Sequence, residues 1–292
     1  MTPSDYDYLR KLLKDRSGLV LSADKQYLVE SRLLPLARRI GVSHLTDLVA
    51  KLKGPGAEPL IVDVVEAMTT NESFFYRDKI PFEHFRDFMM PNLIKARAAQ
   101  RRLRIWCAAA STGQEPYSLA MILKEMAAQV AGWRIEIIGT DLSNEVLEKA
   151  RAGLYSQFEV QRGLPIQMLM KYFTQSGETW QISPEIKAMV QYRPLNLLAD
   201  FGHLGGFDIV FCRNVLIYFD QPTKVDVLER IARLTEGDGY LVLGAAETVV
   251  GLTDVFKPFA DRRGLYLPNA AAAKVATPGF GALKAAAVAA MR

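Results

Sequence analysis

The stretch Arg104–Asp141 constrains the chain more than any other, because it spells out one α/β half-unit from end to end. Leu103, Ile105 and Trp106 form a short apolar run of strand type, followed at once by Ala108-Ala109-Ala110-Ser111-Thr112-Gly113. Small side chains let another molecule approach the backbone, and Gly113 can take dihedrals closed to other residues. Ser111 or Thr112 is placed to cap a helix, with Gln114 or Glu115 three residues on as the capping-box partner. Pro116 is tolerated in a first helical turn. The helix Pro116–Val130 leads to a strand, Ile135–Ile138, with Asp141 just beyond it. An acid at that point can accept both hydroxyls of a ribose, as in dinucleotide folds.

The phosphate question separates the cofactors. The turn has one glycine where a pyrophosphate loop needs G-x-G-x-x-G, and it lacks the G-x-x-x-x-G-K-[ST] of a P-loop. A nucleoside without phosphates fits better, S-adenosylmethionine foremost. The plainer alternative is a strand–helix junction with an incidental acid.

At 292 residues the chain has room for one large domain or two smaller ones. A net charge of +4 does not call for nucleic acid. No apolar run reaches the ~18 residues a bilayer span needs, and MTPSDYDYLR lacks a signal-peptide core. Cys107 and Cys212 lie in strand-like apolar runs, which suggests buried thiols in a reducing compartment. His44, His84 and His203 are scattered, so no zinc spacing arises and no metal is expected. The expectation is a cytoplasmic protein.

Residues 1–80 read as four short helices: a first from Thr2 or Ser4 to Asp15, then Ala23–Ile40 after Ser22, a third after Ser43, and Pro59–Met68. The second carries Arg32, Arg38 and Arg39 among leucines, either a solvated face or a basic docking face. Thr69–Asp78, TTNESFFYRD, breaks the helical pattern and mixes polar with aromatic side chains, as a loop folded over a ligand would. Its plainer reading is a capped turn anchored by Phe74 and Phe75. Residues 81–103 read as a linker helix, ending in a basic segment. Ser143 and Gly153 bracket another crossover helix. Residues from about 155 to 193 read as a small insertion, with a helix to Tyr172 and strand-like Thr179–Ser183 and Met189–Arg193. Phe207–Cys212 is a buried strand with Arg213-Asn214 at its carboxyl end, where open parallel sheets place ligand-binding residues. Pro222–Leu234 is helical, Gly237-Asp238-Gly239 a turn, and Tyr240–Leu243 and Gly264–Leu267 are strands. The Ala-rich residues 269–292 are expected to be a disordered tail, with a marginal helix open to Ala282–Met291.

TTNESFFYRD, WCAAASTGQEPYSLAM, GTDLSNEVLEKARAGLY, FCRNVLIYFD and GDGYLVLGAAET, in that order over roughly residues 5–268, resemble the chemotaxis receptor glutamate methyltransferases, the CheR family. The resemblance implies an all-α N-terminal domain (residues 1–80, receptor docking). It further implies a Rossmann-like α/β domain over 104–268 that binds S-adenosylmethionine and carries a small inserted β-subdomain. It implies methylation of glutamate side chains on the cytoplasmic helices of chemoreceptors, by an enzyme recruited to membrane receptor arrays, with S-adenosylhomocysteine as product; a monomer is expected. By the match, Asn71, Ser73 and Arg77 are cofactor contacts from the inter-domain loop. Glu115 resembles the acid at the methionine amino end, and Asp141 the ribose acid. Asn196-Leu197 fall beside the adenine and Arg213-Asn214 at the far strand end. Tyr218 resembles the tyrosine near the reacting methyl, so Arg77 and Tyr218 are the expected catalytic pair.

The chemistry asks little of the protein. A glutamate with a pKa near ~4.3 is already ionised at neutral pH, so no general base is required. One departure stands out. Family members that tether to a receptor's C-terminal peptide carry a longer Gly-rich turn in the β-subdomain, and here the segment is only Thr174–Thr179. The expectation is therefore recognition through Arg32, Arg38 and Arg39, without a tether. Two other readings remain open: a methyltransferase for nucleic acid or small molecules, and a non-catalytic S-adenosylmethionine-binding scaffold. Against the first, Arg213-Asn214-Val215-Leu216 stands where amino-group enzymes often carry Asn/Asp-Pro-Pro-aromatic. Against the second stand the intact Asn71, Arg77, Glu115, Asp141 and Tyr218.

Overall fold

The computed structural model describes residues 1–269 and Ala271. The expectations of a disordered tail and of a helix over Ala282–Met291 lie outside the described residues.

The N-terminal domain is all helical: α1 (Pro3–Ser17), a 3-10 turn (Ala23–Lys25), α2 (Gln26–Arg39), α3 (Leu45–Leu52) and α4 (Glu58–Met68). Thr2 caps α1 in a reciprocal box with Asp5, and Gly18, at φ 76°, ends it. Leu9, Leu13, Val29, Leu33, Leu48 and Val64 are fully buried and form the core of this domain. Two expected caps are not made. Ser22 precedes the 3-10 turn without a side-chain cap, its hydroxyl donating to the Asp24 carboxylate instead, and α3 starts after His44, one residue beyond Ser43.

Residues 80–96 form α5 (Ile80–His84), a single π-helical turn (Phe85–Met89) and α6 (Met90–Ala96). The sequence suggests a linker here. Instead Phe82, Phe85, Met89, Met90 and Leu93 are buried in the same core as Tyr117, Met121 and Phe211. The segment is one wall of the α/β domain.

The central sheet comprises β1 (Arg102–Ala108), β2 (Arg134–Asp141), β6 (Val190–Pro194), β7 (Phe207–Cys212), β8 (Thr235–Leu243), β9 (Phe256–Pro258) and β10 (Leu265–Pro268). Their order is β6-β2-β1-β7-β8-β10-β9, parallel from β6 through β8 and antiparallel beyond. The chain runs outward from β1 to β2 and β6, then restarts with β7 on β1's other side. That reversal opens a crevice at the carboxyl ends of β1 and β7, the place where ligands bind in such sheets. α7 (Gln114–Glu125) and α8 (Asn144–Ala152) cross between strands on one side, and α12 (Gln221–Leu234) links β7 to β8.

The insertion is a three-stranded antiparallel sheet, β3 (Leu154–Ser156), β5 (Thr179–Ile182) and β4 (Phe173–Ser176), in the order β3-β5-β4. It carries the helices α9 (Gln157–Gln161) and α10 (Ile166–Tyr172), and α11 (Pro184–Lys187) leads back to the main sheet. Three local expectations change. The strand expected over Met189–Arg193 belongs to the main sheet as β6, paired with β2, and not to the insertion. Gly237–Gly239 is no turn but part of β8. The helix expected to reach Val130 ends at Glu125, with turns beyond.

Candidate active site

A cavity open to solvent, about 1020 Å³ with that open space counted, lies at the carboxyl ends of β1, β2, β6 and β7. Asn71, Ser73, Arg77, Glu115, Asp141, Asn196, Leu197, Arg213, Asn214 and Tyr218 all line it. The helical domain contributes Ser17, Leu19 and Met68, so the two domains build it together. Arg32, Arg38 and Arg39 lie elsewhere.

The β1–α7 turn is strained on the cavity side. Ala109 and Ser111 take φ of 60° and 50°, a conformation that side chains resist and that must be held by its surroundings. The holding contacts are visible. Asp141, at the end of β2, accepts the Ser111 amide at 2.8 Å on one oxygen and the Ser143 amide at 3.0 Å on the other. The Ser111 hydroxyl donates to the Asn71 carbonyl at 2.8 Å, tying the turn to the inter-domain loop. That use displaces the expected cap: Gly113 itself flanks α7 with no side-chain cap, and Thr112 bonds Gln114 instead. Gly113 is required twice, for φ 93° and because a Cβ would meet the Tyr192 hydroxyl at 2.6 Å.

Arg213 is the electrostatic centre. Its side chain is almost wholly buried, donating to Glu115 at 2.7 Å, to the Arg77 carbonyl at 2.8 Å and to Asp78 at 2.7 Å. Burial pushes the Glu115 carboxyl above the ordinary range, and the Arg213 guanidinium opposes that rise. Burial also raises Asp141, opposed by the backbone amides it accepts. Two buried carboxylates held this way suit a ligand that brings a cation and vicinal hydroxyls.

The loop over Thr69–Asp78 is fixed by aromatic packing. Phe75 is fully buried, with ring centroids 5.0 Å from Tyr155 and 5.5 Å from Phe173 of the insertion. Phe74 lies beneath the guanidiniums of Arg162, at 4.3 Å, and Arg77, at 5.5 Å. Arg77 also donates to the Glu72 carbonyl at 2.7 Å, and Arg162 pairs with the Glu72 carboxylate at 2.6 Å. Asn71 and Asn196 are held as well: Asn71 donates to Thr69, and Asn196 donates to the Arg16 carbonyl of the helical domain at 2.7 Å.

Tyr218 closes a 3-10 turn, Leu216–Tyr218, and its carbonyl accepts the Val20 amide at 2.9 Å. Sequence reasoning missed the residue that shapes this loop. Glu247 receives four backbone amides, three of them from Asn214, Val215 and Leu216. Arg162 was missed too, hidden in an irregular stretch. Of the three arginines on α2, Arg32 donates to the Met68 and Thr69 carbonyls and the Thr70 hydroxyl, so it ties down the end of α4. Arg39 pairs with Asp63 at 2.9 Å, and Arg38 is exposed.

The sheet and its crevice define a Rossmann-like methyltransferase. Family models of the CheR methyltransferases extend that assignment over most of the chain: the all-alpha domain matches residues 4–69 and the SAM binding domain residues 71–265. The chain is 43% identical over 260 residues to chemotaxis protein methyltransferase 1 of Pseudomonas aeruginosa, covering 87% of this chain and 93% of that protein. It is 40% identical over 262 residues to chemotaxis protein methyltransferase 1 of Vibrio cholerae, covering 88% and 94%. This chain belongs to the CheR family of chemotaxis protein methyltransferases, with S-adenosylmethionine as its cofactor. No helix among the described residues is long and apolar enough to cross a membrane.

Proposed function

We propose that the protein methylates glutamate carboxylates on the cytoplasmic helices of chemoreceptors, working at the cytoplasmic side of receptor arrays. The observation that carries this reading is the titratable set on the cavity wall: Glu72, Arg77, Glu115, Asp141, Arg213 and Tyr218, with no histidine or lysine among them. Glu115 and Asp141 are already engaged by Arg213 and by backbone amides. Such a wall suits an acceptor that needs no base, and a carboxylate is one. S-adenosylmethionine supplies the activated methyl group. The protein's part is to align the acceptor oxygen and keep water out.

In this reading Glu115 receives the ammonium of the methionine end, Asp141 the ribose hydroxyls, and Leu197 and Asn196 flank the adenine. Ser73 and Asn71 close over the cofactor from the loop. Arg77 and Tyr218 orient the incoming carboxylate. Docking falls to the α2 surface at Arg38 and Arg39, since Arg32 is committed to α4, and acidic receptor helices would meet it. The β4–β5 hairpin turns within Gly177-Glu178, which supports activity without a C-terminal peptide tether.

The test is transfer of labelled methyl to membranes bearing chemoreceptors, followed by base. Carboxyl esters release the label as methanol; N-methyl groups keep it. Base-labile label, lowered tenfold or more in Arg77→Ala and Tyr218→Phe, is the expected result. It should persist on receptors lacking their C-terminal peptide and weaken as salt rises. Base-stable label, or undiminished turnover in both variants, overturns the reading.

A pH effect follows from Glu115. The carboxyl must be ionised to hold an ammonium, and burial raises its pKa above the ordinary value. Cofactor affinity should therefore fall as pH drops through that raised pKa and recover above it. Calorimetry across pH 4.5–8 checks this. Glu115→Gln should bind weakly throughout with a flatter profile; an unchanged slope would sink the assignment.

A further inference from the structure

Glu247 sits in the turn after β8, buried beside the cavity but not on its wall. One carboxylate oxygen accepts the amides of Asn214 and Gly244, both at 2.8 Å. The other accepts those of Val215, at 3.0 Å, and Leu216, at 2.8 Å. Asn214 is held at φ 60°, a conformation a non-glycine residue keeps only when its surroundings impose it. Leu216 begins the 3-10 turn that ends in Tyr218. The turn carrying Glu247 is itself tight: its amide donates to the Gly244 carbonyl at 3.0 Å, and a Cβ on Gly244 would meet Asn214 and Glu247 atoms at 2.8 Å.

Only a carboxylate satisfies this arrangement. Each oxygen takes two N–H donors, so glutamine, which has one oxygen and one NH2, must set a donor against two donors in either orientation. Aspartate keeps the charge but draws it back by one methylene. We propose that Glu247 is a positioning residue for methyl transfer, setting the Asn214–Tyr218 segment and through it the place of the Tyr218 side chain. The proposal rests on the assignment of Tyr218 to the acceptor side. Glu115 and Asp141 stand on other elements and Arg213 is held by Glu115 and Asp78, so among the expected cofactor contacts only Asn214 depends on Glu247, and affinity should change little.

The experiment is a double-variant cycle on the full chain with Glu247→Gln, Tyr218→Phe and both together, read as turnover on receptor membranes and as affinity for S-adenosylhomocysteine. Turnover in Glu247→Gln should fall tenfold or more while affinity changes by less than threefold. Adding Tyr218→Phe should then cost less than twofold further, because the tyrosine is already misplaced. Glu247→Asp provides the same cycle should the glutamine variant not fold. Full turnover, multiplicative losses, or an affinity loss as large as the turnover loss overturns the proposal. Wild-type turnover in Tyr218→Phe alone would instead remove the reading beneath it, and the proposal with it.

Discussion

Arg213→Met should abolish measurable S-adenosylmethionine binding and destabilise the protein by about 3–5 kcal/mol, the usual cost of removing one partner from a buried ion pair. The loss is large because three acceptors depend on one guanidinium. Glu115 would keep a buried charge without its counter-ion, at a site where burial already disfavours ionisation. The Arg77 carbonyl and Asp78 would lose the donor that clamps the inter-domain loop, where Tyr76, Asp78 and Lys79 all take positive φ. With the clamp gone, the loop has reason to relax away from the cavity. Adding Glu115→Gln should restore part of the stability, since it removes the uncompensated charge, but not the binding. Urea unfolding and calorimetry separate the two. A single variant with native stability and native affinity would show that the Arg213 network is ornamental.

The parts of the site legible in the sequence are those whose signal is local. An apolar strand, small residues, a helix and an acid after the next strand announce Glu115 and Asp141, and a buried strand ending in Arg213-Asn214 announces the other wall. Partners brought in by the fold were not legible. Nothing near Glu247 says that its carboxylate will meet amides of the loop about thirty residues earlier. Ser111 looks like a helix cap until Asn71 arrives from another domain to take its hydroxyl. Arg32 looks like surface charge until the end of α4 comes within its reach. Val190, Gln191, Tyr192 and Arg193 alternate apolar with polar, which in the sequence alone fits the small sheet of the insertion; in the fold they form β6, the edge of the parallel sheet, with Val190 its one buried residue. The helix over residues 80–96 read as a linker because amphipathic spacing does not say which core the apolar face will enter.

Gly163→Ala should lower stability by about 2–4 kcal/mol, combining overpacking with a strained left-handed backbone, and weaken cofactor binding tenfold or more. Gly163 has φ 82°, and a Cβ there would lie 2.1 Å from the Phe75 carbonyl oxygen and 3.1 Å from the Phe74 ring. The first obstacle is backbone, so no rotamer change relieves it. Phe75 cannot yield easily, because its ring is pinned between Tyr155 and Phe173. Either the insertion retreats, breaking that aromatic cluster, or the loop shifts and carries Ser73 and Arg77 with it. Both routes reach the cavity, which makes the insertion a buttress for the cofactor loop whatever else it does. Gly177→Ala is the control: it too has positive φ, at 60°, but meets nothing within 4 Å. It should cost about 1–2 kcal/mol for the backbone alone and leave cofactor affinity unchanged. Thermal unfolding and calorimetry on both variants decide the matter. Equal effects at the two glycines would mean that only backbone strain counts, and that the insertion does not brace the site.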